Sequence, residues 1–169
     1  MTSSLTTRSA FTLVEVLVVV IILAIAGVIV VPYMLRGGQM ELQAASRMVI
    51  ADIMYAQNEA VARQAVRRVV FDPDENTYRI TDAEGATIGV TWKGGSGSEN
   101  YVVDFDDDSR FQGVRLDNAA FGTTTTLAFD DLGSPVNGGT LELATTSFRY
   151  RVTVADFTGQ VTVEPVPGG

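Results

Sequence analysis

The 169-residue sequence predicts an α+β fold, a long N-terminal helix packed on an antiparallel β-sheet head. Three observations lead there. Residues 16–35 are apolar without a single charge, and residues 39–63 repeat apolar side chains at spacings of three and four. From residue 66 onward the apolar period falls to two, and clusters of Gly, Pro, Asp and Asn punctuate it.

Composition narrows the function before any motif is read. Cysteine and histidine are both absent, which removes a Ser-His-Asp triad, a thiol nucleophile, an ordinary zinc site and any disulfide framework. Lys and Arg number 12 against 20 Asp and Glu, a formal net charge of −8. Arg8 and Glu15 are the only charges before Arg36, so the excess belongs to the rest of the chain. A surface of that sign repels phosphate backbones and favours solubility. The sequence thus predicts a non-enzyme with no cofactor.

Residues 1–10 (MTSSLTTRSA) are short, polar and hydroxyl-rich. With the α-amine, Arg8 puts positive charge before the apolar run, and Arg36 follows it, so charge bias favours a cytoplasmic N-terminus by a small margin. At about 1.5 Å per residue, residues 16–35 alone reach about 30 Å, the hydrocarbon thickness of a bilayer. On pattern alone this is an uncut signal anchor, or a secretory signal cut after Ala24-Ile25-Ala26. Glu15 inside the run, and the GVIVVPYML left behind after the cut, count against the secretory signal.

The third reading is a resemblance. Ala10-Phe11-Thr12-Leu13-Val14-Glu15 and the apolar run behind it resemble the class III signal of type IV prepilins and type II secretion pseudopilins. The resemblance implies cleavage between Ala10 and Phe11 by a prepilin peptidase, N-methylation of Phe11, and a pilin-like fold. It implies a bacterial inner-membrane, single-pass protein with a cytoplasmic N-terminus and a periplasmic head, assembled with other pilins into a helical filament. The family nearly always carries glycine before the cut. Ala10, the nearest residue in size, is a departure that bears on the rate of processing.

Glu15 has a local reading and an assembly reading. Thr12-x-x-Glu15 is a capping box, and a carboxylate in the first turn suits the helix dipole. In the assembly reading a neighbouring subunit's Phe11 amine neutralises Glu15. Left unpaired at the bilayer centre, a carboxylate costs about 2.5–3.5 kcal/mol, which favours assembly over the free monomer. Cap and pair use different lone pairs and hold at different stages. Further along, Gly27 and Pro32 predict a kink or loosening near residues 28–32.

Arg36-Gly37-Gly38 leaves the apolar segment, and two glycines there break or hinge the helix. Residues 36–64 form the amphipathic half, with Leu42, Ala45, Val49, Ile53, Ala56 and Ala60 on one face and Glu59–Arg63 as an i,i+4 pair. A helix continuous from Thr12 to Arg63 spans about 78 Å. The head, residues 65–164, reads as strands 65–71, 77–81, 87–92, 101–105, 113–116, 124–129, 140–144, 148–154 and 160–164. DPDEN at 72–76 closes a hairpin, KGGSGSEN at 93–100 is a loop, 130–135 and 137–139 are turns, and 165–169 is a frayed tail. AVARQAVRRVVF, FDPDENTYRI, LAFDDLGSPVNGGTLEL and DFTGQVTVE are similar to the GspH/FimT group of minor pilins, over residues 39–164.

Two constellations invite chemistry. Asp72-x-Asp74-x-Asn76 opens like an EF-hand, but Thr77 stands where the glycine belongs and Ala83 where the glutamate belongs, so a turn is preferred. Asp104, Asp106, Asp107 and Asp108 are metal candidates as oxygen ligands, set against a solvated edge or turn, which is preferred. Arg149 and Arg151 share a strand face and are nucleic-acid candidates, with Arg63, Arg67 and Arg68 at the helix-to-sheet transition. Salt bridges to the acidic surface account for them better. In FimT-like pilins basic residues near the C-terminus serve DNA uptake, and the matching stretch here, Thr158 to Val163, has no arginine.

The sequence therefore predicts a structural minor pseudopilin of a type II secretion system, or a relative in a type IV pilus. Its partners are the prepilin peptidase, other pilins, the inner membrane, and secreted cargo or an outer-membrane channel. Three alternatives remain: a DNA- or ligand-binding minor pilin, an uncleaved single-pass anchored periplasmic domain, and an anchored enzyme.

Overall fold

The computed structural model describes residues 12–35, 37–90 and 99–167. It falls into two compact units, Met1–Gly37 and Gly38–Gly169. The first holds helix α1, Leu13–Leu35, which stays helical through Pro32, so the loosening expected there does not end it. Its described apolar side chains are exposed all round, from 47% at Val18 to 83% at Leu13. No face of the described part is covered.

In the second unit, α2 spans Gly37–Arg63. The two glycines expected to break the helix lie in its first turn, where leading N–H groups lack intrahelical partners in any case. All six residues of the predicted face, Leu42, Ala45, Val49, Ile53, Ala56 and Ala60, are fully buried. Glu59 and Arg63 pair at 3.4 Å. Then follow β1 (Arg67–Asp72), β2 (Thr77–Thr81), β3 (Gly89–Val90), β4 (Glu99–Asn100) and β5 (Val102–Asp104). After a 3₁₀ turn (Ser109–Phe111) come β6 (Arg115–Phe121), β7 (Thr126–Phe129), β8 (Gly139–Ala144), β9 (Arg149–Val154) and β10 (Val161–Val166).

The strands make two four-stranded antiparallel sheets, ordered β5-β2-β1-β7 and β10-β9-β8-β6, with a small β3-β4 ribbon. β1 and β2 are the expected hairpin, closed between Asp72 and Thr77. Alternation places Val69 and Phe71 of β1, Tyr78 and Ile80 of β2, Leu127 and Phe129 of β7, Leu141 and Leu143 of β8, and Val152 and Val154 of β9 in one core with the α2 face. Phe121 of β6 stacks on Phe71 of β1 with ring centroids 5.5 Å apart, so one aromatic pair joins the two sheets.

Beyond shifts of one or two residues at most strand ends, four features differ from the sequence expectation. The strand expected over 113–116 begins at Arg115 and runs on to Phe121, because a bulge between Leu116 and Asn118 takes up the polar Asp117 that interrupts the alternation. The loop expected at 93–100 ends in strand, since Glu99 and Asn100 pair with Val90 and Gly89; residues 91–98 lie outside the described residues. The tail expected from 165 pairs as far as Val166, because Pro165 sits on an edge strand and owes no N–H to a further neighbour. The 3₁₀ turn over Ser109–Phe111 was not expected and buries Phe111.

Alanines on the inner face of α2 let the sheets approach closely. Ala56→Leu is expected to cost about 1–3 kcal/mol by overpacking. Ala62→Leu, on the exposed side, is expected to change stability by less than about 0.5 kcal/mol. Urea denaturation of both variants checks the pair.

Candidate functional site

At the head of α1, Thr12 supplies the cap that its hydroxyl makes possible. Its Oγ1 accepts from the Glu15 backbone N–H at 3.2 Å, and its carbonyl accepts from the N–H groups of Glu15 and Val16. Glu15 lies exposed in the first turn. Ala10 and Phe11, the expected cleavage and methylation positions, lie outside the described residues. Counting only residues described in full, no helix is long and apolar enough to cross a membrane; the α1 backbone continues as helix to Leu35.

The nucleic-acid candidates sit in a row of charges across the second sheet. Register places Asn118, Glu142, Arg151 and Glu164 side by side on four strands. Glu142 takes Arg149 at 2.9 Å and Arg151 at 2.7 Å. Arg149 also meets Asp117, the bulge residue, at 2.6 Å, and Arg151 approaches Glu164 at 3.8 Å. Hydrogen bonds from Arg151 and Arg149 hold the Glu142 carboxyl below the usual range. Three carboxylates thus neutralise two guanidiniums. Arg68 instead donates to the carbonyls of Asp82 and Ala83, and Arg67 to that of Val66. The salt-bridge expectation fits Arg149 and Arg151, while Arg67 and Arg68 serve as backbone caps.

Three of the four acidic metal candidates are used internally as well. Asp104, at the end of β5, accepts from the backbone N–H groups of Asp106 and Asp107 at 2.8 and 3.3 Å. Asp106 accepts from Asn76 Nδ2 at 2.7 Å, and Asp108 takes the Arg110 guanidinium in a two-pronged pair. Among the described residues no group of three acidic side chains is disposed to hold a metal ion. Asp72 accepts from the Glu75 N–H, a turn contact.

Two buried polar ties escaped the sequence reading, in which Asn76 is only a turn residue and Asp52 has no role. Asn76, with φ of 53°, donates to Asp106 and to the Val114 carbonyl and accepts from the Leu116 N–H, so one side chain ties the β1–β2 turn to the start of β6. Asp52 is on α2, next to the predicted face, and accepts from the hydroxyls of Tyr78 on β2 and Tyr101 before β5. Burial first, and the Asp52 carboxylate second, push both phenols above their ordinary pKa. Tyr101 also stacks on Tyr55 of α2 with centroids 5.6 Å apart. Beside this network lies an open groove of about 650 Å³ between α2 and the β5-to-3₁₀ segment. Asp104, Asp107 and Asp108 rim it, with Asp52 and Tyr101 among its walls. Ser109 and Arg110, the latter paired with Asp108, complete its polar lining.

This architecture, a helix seated by a small-residue face against two antiparallel sheets, defines a pilin-like head. Residues 45–158 match the family model described as type II transport protein GspH. The chain belongs to that family, whose members are structural subunits of pseudopili and pili. Among solved structures it is similar to the minor pseudopilin EpsH from the type 2 secretion system of Vibrio cholerae, at 15% identity and TM-score 0.52, over 76% of this chain and 99% of that one. It is likewise similar to the type IV minor pilin FimU of Pseudomonas aeruginosa, at 18% identity and TM-score 0.52, over 75% of this chain and 90% of that one. Both likenesses concern the fold. A comparison of the sequence with curated proteins gives no match.

The Asp52 network makes alkaline stability a test of the site. Because both phenols have raised pKa values, the folded state keeps protons that the unfolded chain loses above pH about 10. Their stabilisation is complete below that pH and lost above it, at about 1.4 kcal/mol per pH unit for each tyrosine. A Tyr78→Phe/Tyr101→Phe double variant is expected to be less stable at pH 8 and to lose that alkaline fall. Urea titrations between pH 8 and 11 check it, and an unchanged slope in the variant contradicts the assignment.

Proposed function

We propose that this GspH-family subunit is a minor pseudopilin of a type II secretion system, or its counterpart in a type IV pilus, assembled through α1. One observation carries the reading: an apolar helix, exposed on every described side, that begins at a Thr12 cap with a single carboxylate, Glu15, in its first turn. The sequence extends the apolar run from residue 28 to Leu35, so the whole of α1 reaches about 33 Å, enough to span hydrocarbon. Residues 1–10 act as the leader, cut by prepilin peptidase between Ala10 and Phe11, with Phe11 then N-methylated. Residues 11–35 anchor the precursor in the bacterial inner membrane, N-terminus cytoplasmic, and later pack in the filament core. Residues 36–64 bind the head, and 65–166 complete it in the periplasm.

The head has no catalytic work in this reading. Its nucleic-acid candidates, Arg149 and Arg151, are spent on carboxylates, which together with the acidic net charge supports a structural role over DNA binding. Its partners are other pilins along the filament, with secreted cargo or the outer-membrane channel beyond them.

Glu15→Gln separates the local role from the assembly role. Glutamine serves in a capping box nearly as well as glutamate, so a merely local role predicts normal incorporation. Pairing with a neighbour's amine predicts a loss of at least about tenfold in filament-associated protein, with membrane levels unchanged. Quantitative immunoblots of filament and membrane fractions from the native host read the difference.

A further inference from the structure

We propose that the end of the head around the C-terminal turns of α2 is a docking surface for another protein. The partner chemistry it fits is an apolar depression flanked by lysine or arginine. The inference does not rest on assembly through α1.

Two loops are pressed onto α2 there. The β7–β8 loop is fixed where Gln57 Nε2 donates to the Gly133 carbonyl at 2.8 Å. A Cβ on Gly133 would come within 2.6 Å of Val61 Cγ2, and one on Gly159, in the β9–β10 loop, within 2.7 Å of Gln57 Nε2. Both glycines have positive φ, so backbone and space alike require them. The loops are joined to each other by the Gly138 N–H, which donates to Asp156 Oδ1 at 2.7 Å.

From this clamped platform four apolar side chains point into solvent: Phe157 at 87% exposure, Leu132 at 80%, Val136 at 62% and Val61 at 50%. Together they show on the order of 400 Å² of apolar surface, within the range of the largest patch on an ordinary monomer, which often serves binding. Phe157 is the telling residue. Its φ is 64°, a left-handed conformation that costs a bulky side chain and suits glycine or asparagine. The fold gains nothing from an aromatic ring held out at a hairpin tip under strain. Exposed aromatics on rigid loops are the anchors that fill a partner's pocket.

Charge selects the occupant. The exposed acids Asp131 and Asp156 stand in the same two loops, while Arg63 at this end of α2 is already paired with Glu59. Two copies of this chain would set acid against acid, within a net charge of −8 each. An anionic lipid surface is repelled for the same reason. A protein surface with basic residues around an apolar hollow satisfies both parts of the patch.

The test places a photo-reactive benzophenone amino acid at position 132 of the full chain in its native host. Irradiation is expected to cross-link it to another protein through an apolar segment flanked by Lys or Arg, mapped by mass spectrometry. Phe157→Gly is expected to lower the yield about tenfold while leaving the melting temperature unchanged or higher, since glycine is at home at that φ. Asp131→Lys is expected to lower the yield as well. Cross-links only to a second copy or to lipid, no cross-link at all, or a yield indifferent to Phe157→Gly would overturn the proposal. A fall in melting temperature with Phe157→Gly would also overturn it, by giving the ring a structural task.

Discussion

A helix that is apolar on every side has no face to turn toward water, so its cover must come from outside its own chain. That constraint divides this protein. α1 leaves Leu13 through Ile25 exposed all round, and only a bilayer or other apolar helices can bury such a surface. α2 has the opposite solution: a stripe of leucine, valine, isoleucine and alanine closed entirely by the two sheets of its own unit. One helix is completed by the fold and the other by assembly. In the proposed assembly the single acid in the first turn of α1 makes packing selective, because a carboxylate in such surroundings needs a cation, not merely more hydrocarbon.

Within the head, several buried and half-buried charges are settled internally. Asp52 gives α2 a polar tie to two tyrosines, and Asn76 joins the β1–β2 turn to the start of β6. The Asp117–Arg149–Glu142–Arg151–Glu164 row does the same across the second sheet. These ties cross-link the head, and apolar side chains stay open on the loops beside the end of α2.

Much of this was legible from spacing. Threes and fours in residues 39–63 named the apolar buried residues of α2, because helical period and burial follow one geometric rule, but not the polar Ser46 and Asp52 buried beside them. DPDEN gave the β1–β2 turn, since only a tight turn needs that density of proline and acids. Legibility ended where partners are remote. Asp52 reads as one more exposed helix acid until Tyr78 and Tyr101, 26 and 49 positions away, arrive beside it. β6 was cut short because the bulge at Asp117 looks in sequence like a broken alternation. Phe157 passed unnoticed, because neither its φ nor its exposure leaves a mark on the pattern.

In the proposed assembly α1 is released from a leader before it meets its neighbours, and the mass of the mature N-terminus in the native host tests this most directly. Intact-protein and N-terminal peptide mass spectrometry should find the chain beginning at Phe11 with one methyl group on its amine. A chain that begins at Met1 or Thr2, or at Gly27 after a cut behind Ala26, would contradict it.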